Sequence, residues 1–265
     1  MLARMEEGPR THRDTLAFAL TIAGATLWTL VPCLVLMRDR AHGRELAQLA
    51  TMITGATLGA WIAASVWRRV DLATAGVAGA IPIALMIGTF SYYRTGAISI
   101  ELRHLGLMTA GAASAVAGAW LGRKATRARR PLAAAFVMQG TAVLGALPLL
   151  VLHAAGHDIP RTFVALLLLA IGASVGAILC GEVQPRAVAG RTFLIVFSMY
   201  AVMALDPHSH IGAGKLVGGG LIAGGFLAGI ASIFTSLVAV RRERRAAAAA
   251  TTRRPDLPPA KIVER

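Results

Sequence analysis

Several stretches of this sequence run for roughly 17–25 residues with almost no charge, the length an α-helix needs to cross a hydrocarbon core. Each run is continuous rather than alternating. Backbone polar groups surrounded by lipid must be satisfied within a helix or a closed barrel, so the runs predict helices. Hydrophobic residues make up 56% of the 265 residues and charged ones 15%, against about 25% charged in soluble domains. That balance excludes a soluble enzyme, a disordered chain and a disulfide-stapled secreted domain. Cys33 and Cys180, the two cysteines, both fall inside apolar runs and form no framework.

Eight helices are expected, at about 15–37, 46–67, 72–92, 105–122, 132–152, 162–180, 192–205 and 216–240. The seventh is short for a span and reaches a workable length only if Val188 and Ala189 join it. The fold class is therefore all-α, a polytopic membrane bundle.

Net charge is +14, and its distribution sets orientation. With the N-terminus inside, the inner segments hold 20 basic residues and the outer ones 7; the net charges are +12 and +2. The expected location is a bacterial-type inner membrane with both termini cytoplasmic. Trp67 and Trp120 then fall at the inner interface and Tyr92 and Tyr93 at the outer one, as aromatic anchors do. The basic inner face suits anionic lipid headgroups and calls for no nucleic acid.

The halves resemble each other. Val31-Pro32-Cys33-Leu34-Val35-Leu36 reads against Leu147-Pro148-Leu149-Leu150-Val151-Leu152, and Ala41-His42-Gly43 against Gly156-His157-Asp158. Gly55-Ala56-Thr57-Leu58-Gly59-Ala60 matches Gly172-Ala173-Ser174-Val175-Gly176-Ala177, and Gly96-Ala97 matches Gly212-Ala213. The offset is 115–117 residues, drifting to about 113 in the last helix. Four helices per half return the chain to its starting side, so such repeats are parallel. The expected layout is a leader over 1–14, a first four-helix repeat over 15–122, a basic linker over 123–130, a second repeat over 131–240 and a basic disordered tail over 241–265, whose start extends the last helix by a turn or two. Gly55/Gly59, Gly118/Gly122, Gly172/Gly176, Gly220/Gly224 and Gly225/Gly229 are small-xxx-small pairs that predict tight packing for helices two, four, six and eight.

No ionisable residue lies near the centre of an expected span, which argues against a proton relay through the middle. The polar or helix-bending residues at depth are Pro32, Pro148, Gln48 and Gln139, with Glu182 near an inner helix end; a solute path between the halves would use these. Of seven histidines, only His12 is expected inside. His42, Glu101, His104, His153, His157, Asp158, Asp206, His208 and His210 gather on the outer rim. Glu101 and His104 are spaced i,i+3, and His153 and His157 i,i+4, so each pair shares one helix face. Neutral imidazole suits Zn or Cu, and its ordinary pKa of about 6.5 suits a pH-sensing rim. Solvated loop residues account for the same pattern.

No phosphate-binding loop, Gly-x-Ser-x-Gly or zinc motif is present, so no catalytic residue is assigned. The sequence leads to a small-solute permease-like protein, with a membrane scaffold or accessory subunit as the competing class and an outer-face metal site as a weaker one. A scaffold would use its glycine faces to bind partner membrane helices or a second copy.

Overall fold

The computed structural model describes residues 12–36, 44–95, 101–154, 161–181, 184–204 and 212–252; side chains at 31–32, 34–36, 44–46, 89–90, 92–95, 143–154, 161–166, 199, 202–203 and 249–252 lie outside that description. Among the described residues there are eight α-helices and no strand. They are α1 (His12–Leu36), α2 (Arg44–Val66), α3 (Leu72–Thr95), α4 (Leu102–Arg123), α5 (Arg130–Ala154), α6 (Arg161–Leu179), α7 (Pro185–Ala204) and α8 (Ala213–Thr252).

Local chemistry sets several of these ends. Asp71 caps α3 by accepting the Thr74 amide on Oδ1 at 2.6 Å. α7 starts at Pro185, whose missing N–H costs nothing in a first turn. Val188 N–H then bonds the Gln184 carbonyl at 3.1 Å, so α7 has 20 residues rather than the 14 expected from Thr192. α6 closes at Gly181, whose φ of 72° lies in the left-handed region that favours glycine.

Two tail boundaries are corrected. α1 begins at His12, so the last residues of the expected leader are helical. α8 has 40 residues and stays helical through Thr252, further than the turn or two beyond Val240 that the sequence suggests. Arg, Glu and Ala are strong helix formers, and a helix already formed needs no new nucleus to continue.

Among the described residues, three helical segments are long and apolar enough to cross a membrane: Ala47–Val66, Leu102–Arg123 and Ala213–Ala248. Outward faces are apolar too, as Ile222 (77% exposed), Ile233 (63%) and Val77 (61%) show. Such surface is unfavourable in water and ordinary in lipid.

α1 sits centrally, packed on α2, α3 and α5, while α2 and α3 both pack on α4. In the second half α5 packs on α6, and α8 lies mainly along α7 with a lighter contact to α6. The core of the first half is mostly alanine, with Ala56, Ala60, Ala63, Ala64, Ala75, Ala78, Ala115 and Ala119 around Phe18 and Ile22. Small residues let helix backbones approach, which matters because apolar burial between helices gains little where the alternative neighbour is lipid.

Hydroxyls inside the bundle mostly bond their own helix. Thr21, Thr26, Ser174 and Thr235 each donate to the carbonyl four residues back, at 2.7–2.8 Å. Thr29 also reaches across: its Oγ1 lies 2.9 Å from the Thr51 carbonyl oxygen on α2.

Candidate functional site

The site that the structure defines is the seam where α1 meets α5 and its end beside α6. Glycine makes the seam close. A Cβ on Gly140 would stand 2.6 Å from the Leu20 carbonyl oxygen, and one on Gly24 would run into the Phe136 carbonyl. The two contacts are reciprocal: Gly24 and Gly140 are 116 positions apart, and so are the Leu20 and Phe136 that they meet. Trp28 and Phe136 add an edge-to-face ring contact across the same seam, with centroids 6.4 Å apart.

Neighbouring contacts repeat in the same register. A Cβ on Gly55 would lie 2.7 Å from Thr26 Cα, and one on Gly172 would lie 2.6 Å from Ala142 Cα. Gly59 and Gly176 stand likewise against Ile22 and Met138, at 2.9 and 2.7 Å from their Cα atoms.

One end of the bundle is basic, and several of its arginines are spent on main-chain carbonyls. Arg68 Nη2 donates to Ala125 O at 2.5 Å while Arg123 Nη2 donates to Val70 O at 2.5 Å, which locks the α2–α3 turn to the α4–α5 connection. Lys124 Nζ rests 3.4 Å from the centre of the Trp120 ring. Arg13 reaches furthest: Nε donates to Leu179 O at 2.6 Å and Nη2 to Ile178 O at 2.8 Å. These are C-terminal carbonyls of α6, where a cation also complements the helix dipole. Beside this contact lies a cavity of about 620 Å³ lined by Arg13, Asp14, Trp67, Leu179 and Cys180. Its wall continues into the seam cluster of Ala17, Leu20 and Val137, which packs on Trp67, Leu179 and Cys180.

Of the residues expected to line a solute path, Gln48 and Gln139 are described, and neither lines this cavity. α1 and α5 run helical through Pro32 and Pro148, whose side chains lie outside the described residues, as does Glu182. Gln48 and Gln139 are both half-buried, on α2 and α5.

On the expected outer rim, Glu101 and His104 are joined by a helix cap. Glu101 is the N-cap of α4, and its amide donates to His104 Nδ1 at 3.0 Å. The Glu101 carboxylate meets Arg103 Nε at 2.7 Å. The i,i+3 spacing that suggested a ligand pair is the spacing of a helix cap. His153 is in α5, but its side chain, and all of His42, His157, Asp158, Asp206, His208 and His210, lie outside the described residues. Among the described residues, no group of three His, Cys, Asp or Glu side chains could hold a metal ion.

Two of the glycine expectations change. Gly220 and Gly224 pack on Tyr200, Phe197 and Phe193 of α7, but a Cβ on Gly225 or Gly229 of α8 would meet nothing within 4 Å among the described residues. The tightest cross-seam glycines, Gly24 and Gly140, belong to α1 and α5 instead. Neither has a glycine four residues away, so a small-xxx-small search passes them by. Arg13 was also missed as more than a leader residue. Its signal was position: Arg13 and Arg129 stand 116 residues apart, in the offset of the other landmarks.

No family model, curated protein or solved structure matches the chain.

Proposed function

We propose that this chain is a multi-pass inner-membrane protein built from two parallel four-helix halves, and that it moves a small solute. All eight helices span in this reading, the basic end faces the cytoplasm, and both termini lie there. The observation that carries it is the reciprocal contact of Gly24 with Phe136 and Gly140 with Leu20, the kind of contact that a pseudo-two-fold axis between α1 and α5 would produce. Transporters built from parallel repeats place their substrate route at such an interface. Here the seam is closed by backbone contact at the glycines, and an open cavity between the ends of α1, α2 and α6 lies beside it at the basic end, which supports reading that end as an inner vestibule. Anionic lipid headgroups are the partners of the basic end, through the exposed Arg241, Arg242, Arg244 and Arg245.

A second reading, a membrane scaffold, is favoured by one specific observation. Gly225 and Gly229 present an open small-residue face on α8, the kind of surface on which a partner helix packs.

Proteoliposomes loaded against panels of neutral, anionic and cationic solutes test the transport reading. Flux above protein-free vesicles for at least one solute class is expected. No flux for any class overturns transport in favour of the scaffold. Reporter fusions at both termini test orientation, with both expected on the cytoplasmic side.

A further inference from the structure

Arg13 precedes the apolar part of α1, yet both of its hydrogen bonds go to the other half of the chain, to Ile178 and Leu179 at the end of α6. Arg129 does the related thing from the other side. It precedes α5, its amide donates to Ser65 Oγ near the end of α2 at 3.3 Å, and its guanidinium carbon lies 4.3 Å from the centre of the Trp61 ring. Each half thus reaches, from the start of its first helix, to the second helix of the other half. Between the two reaches lies the α1–α5 seam, and the Arg13 side borders the cavity of Trp67, Leu179 and Cys180.

We infer that Arg13 and Arg129 are a paired latch that holds the two halves together at the basic end, and that releasing Arg13 opens the seam onto the Cys180 cavity. This rests on the two-half reading given above.

The chemistry of the hold supports a latch rather than a permanent tie. Among the described residues Arg13 bonds two neutral carbonyls, and it does so at an exposed position where water can take over either bond. The two hooks also differ: Arg13 holds through two charge-assisted hydrogen bonds, and Arg129 through a ring face and one long amide bond. Release is therefore expected to be unequal. Gly181 fits this role, because a Cβ there would sit 3.1 Å from Arg13 Nη2 and crowd the bonded guanidinium.

The test uses the full chain in lipid nanodiscs. In a Cys33→Ser, Cys180→Ser background, spin labels on Arg69→Cys and Gln184→Cys report the separation of the two halves at the basic end; both positions are exposed. Arg13→Ala is expected to add a longer-distance population, Arg129→Ala a smaller one, and the double variant the largest. Arg13→Lys, a point charge that cannot reproduce the two-pronged geometry, should fall between Arg13 and Arg13→Ala and guards against a variant that fails to fold. In parallel, with Cys33→Ser alone, a membrane-impermeant maleimide should label Cys180 about five- to tenfold faster in Arg13→Ala.

Faster labelling with an unchanged distance distribution means only that the Arg13 side chain shields Cys180, and overturns the latch. An unchanged distribution in Arg129→Ala and in the double variant relative to Arg13→Ala overturns the pairing. Both failures leave the vesicle flux result, which tests transport, where it stands.

Discussion

Gly24 of α1 and Gly140 of α5 pack against each other's helix at the seam, each under a main-chain carbonyl of the other, so that neither tolerates a Cβ without backbone movement. The closeness is a backbone property. It cannot be relieved by a rotamer change, as a contact with the tip of a long side chain can.

Gly140→Ala is accordingly expected to destabilise the protein by about 1–3 kcal/mol, the usual cost of overpacking a close contact. The thermal midpoint in detergent measures it. Gly88→Ala, in α3 with no neighbour within 4 Å, provides the comparison and should leave the midpoint unchanged or slightly raised.

Gly181 adopts φ 72° where α6 turns away, and its missing Cβ leaves room for Arg13 Nη2. Gly181→Ala combines backbone strain of about 1–2 kcal/mol with crowding of the arginine. Gly181→Asn should cost less at the backbone, because Asn visits the left-handed region more readily. Equal midpoints for Ala and Asn would show that crowding, not backbone conformation, governs the position.

His104→Ala removes the acceptor of the Glu101 amide and should cost the start of α4 about 0.5–1 kcal/mol. Amide hydrogen exchange should quicken at Glu101 and its immediate successors and stay unchanged around Gly118. Unchanged exchange at Glu101 would place the histidine outside the cap.

The continuation of α8 beyond Val240 predicts exchange protection through the Arg241–Arg245 run in nanodiscs. Ala246→Pro should abolish protection locally, since proline in a helix interior costs about 3 kcal/mol. Free-amide exchange rates across Arg241–Arg245 in the parent protein would overturn the helical extension.

The number of helices was legible in the sequence because each apolar run carries its own signal: length, absence of charge and flanking polar residues. α7 was short-measured because Pro185 and Arg191 resemble loop residues, although proline suits a first turn and arginine extends a helix well. A turn or two of helix beyond Val240 was legible from Arg-Arg-Glu-Arg-Arg-Ala, but the continuation to Thr252 was not. At the candidate site, Arg13 looked like a topology charge, and nothing local distinguishes an arginine that faces solvent from one whose two donors meet a helix end 165 residues away. Glu101 and His104 show the reverse problem: one spacing serves both a ligand pair and a helix cap, and only the observed hydrogen bond separates them.

By itself the sequence determined an all-helical chain, apolar helices of membrane-crossing length and a concentration of positive charge in particular connections. These are local properties, decided by the requirement that backbone groups be satisfied within each segment and by the transfer energy of its own side chains. Tertiary structure decided which glycines become contacts: Gly24 and Gly140 meet across the seam while Gly225 and Gly229 face open space. It also sent Arg13 to the end of α6. The physical reason is that association between apolar helices depends on close backbone approach and crossing geometry rather than on hydropathy. Those depend on how distant segments meet, and no single segment encodes them.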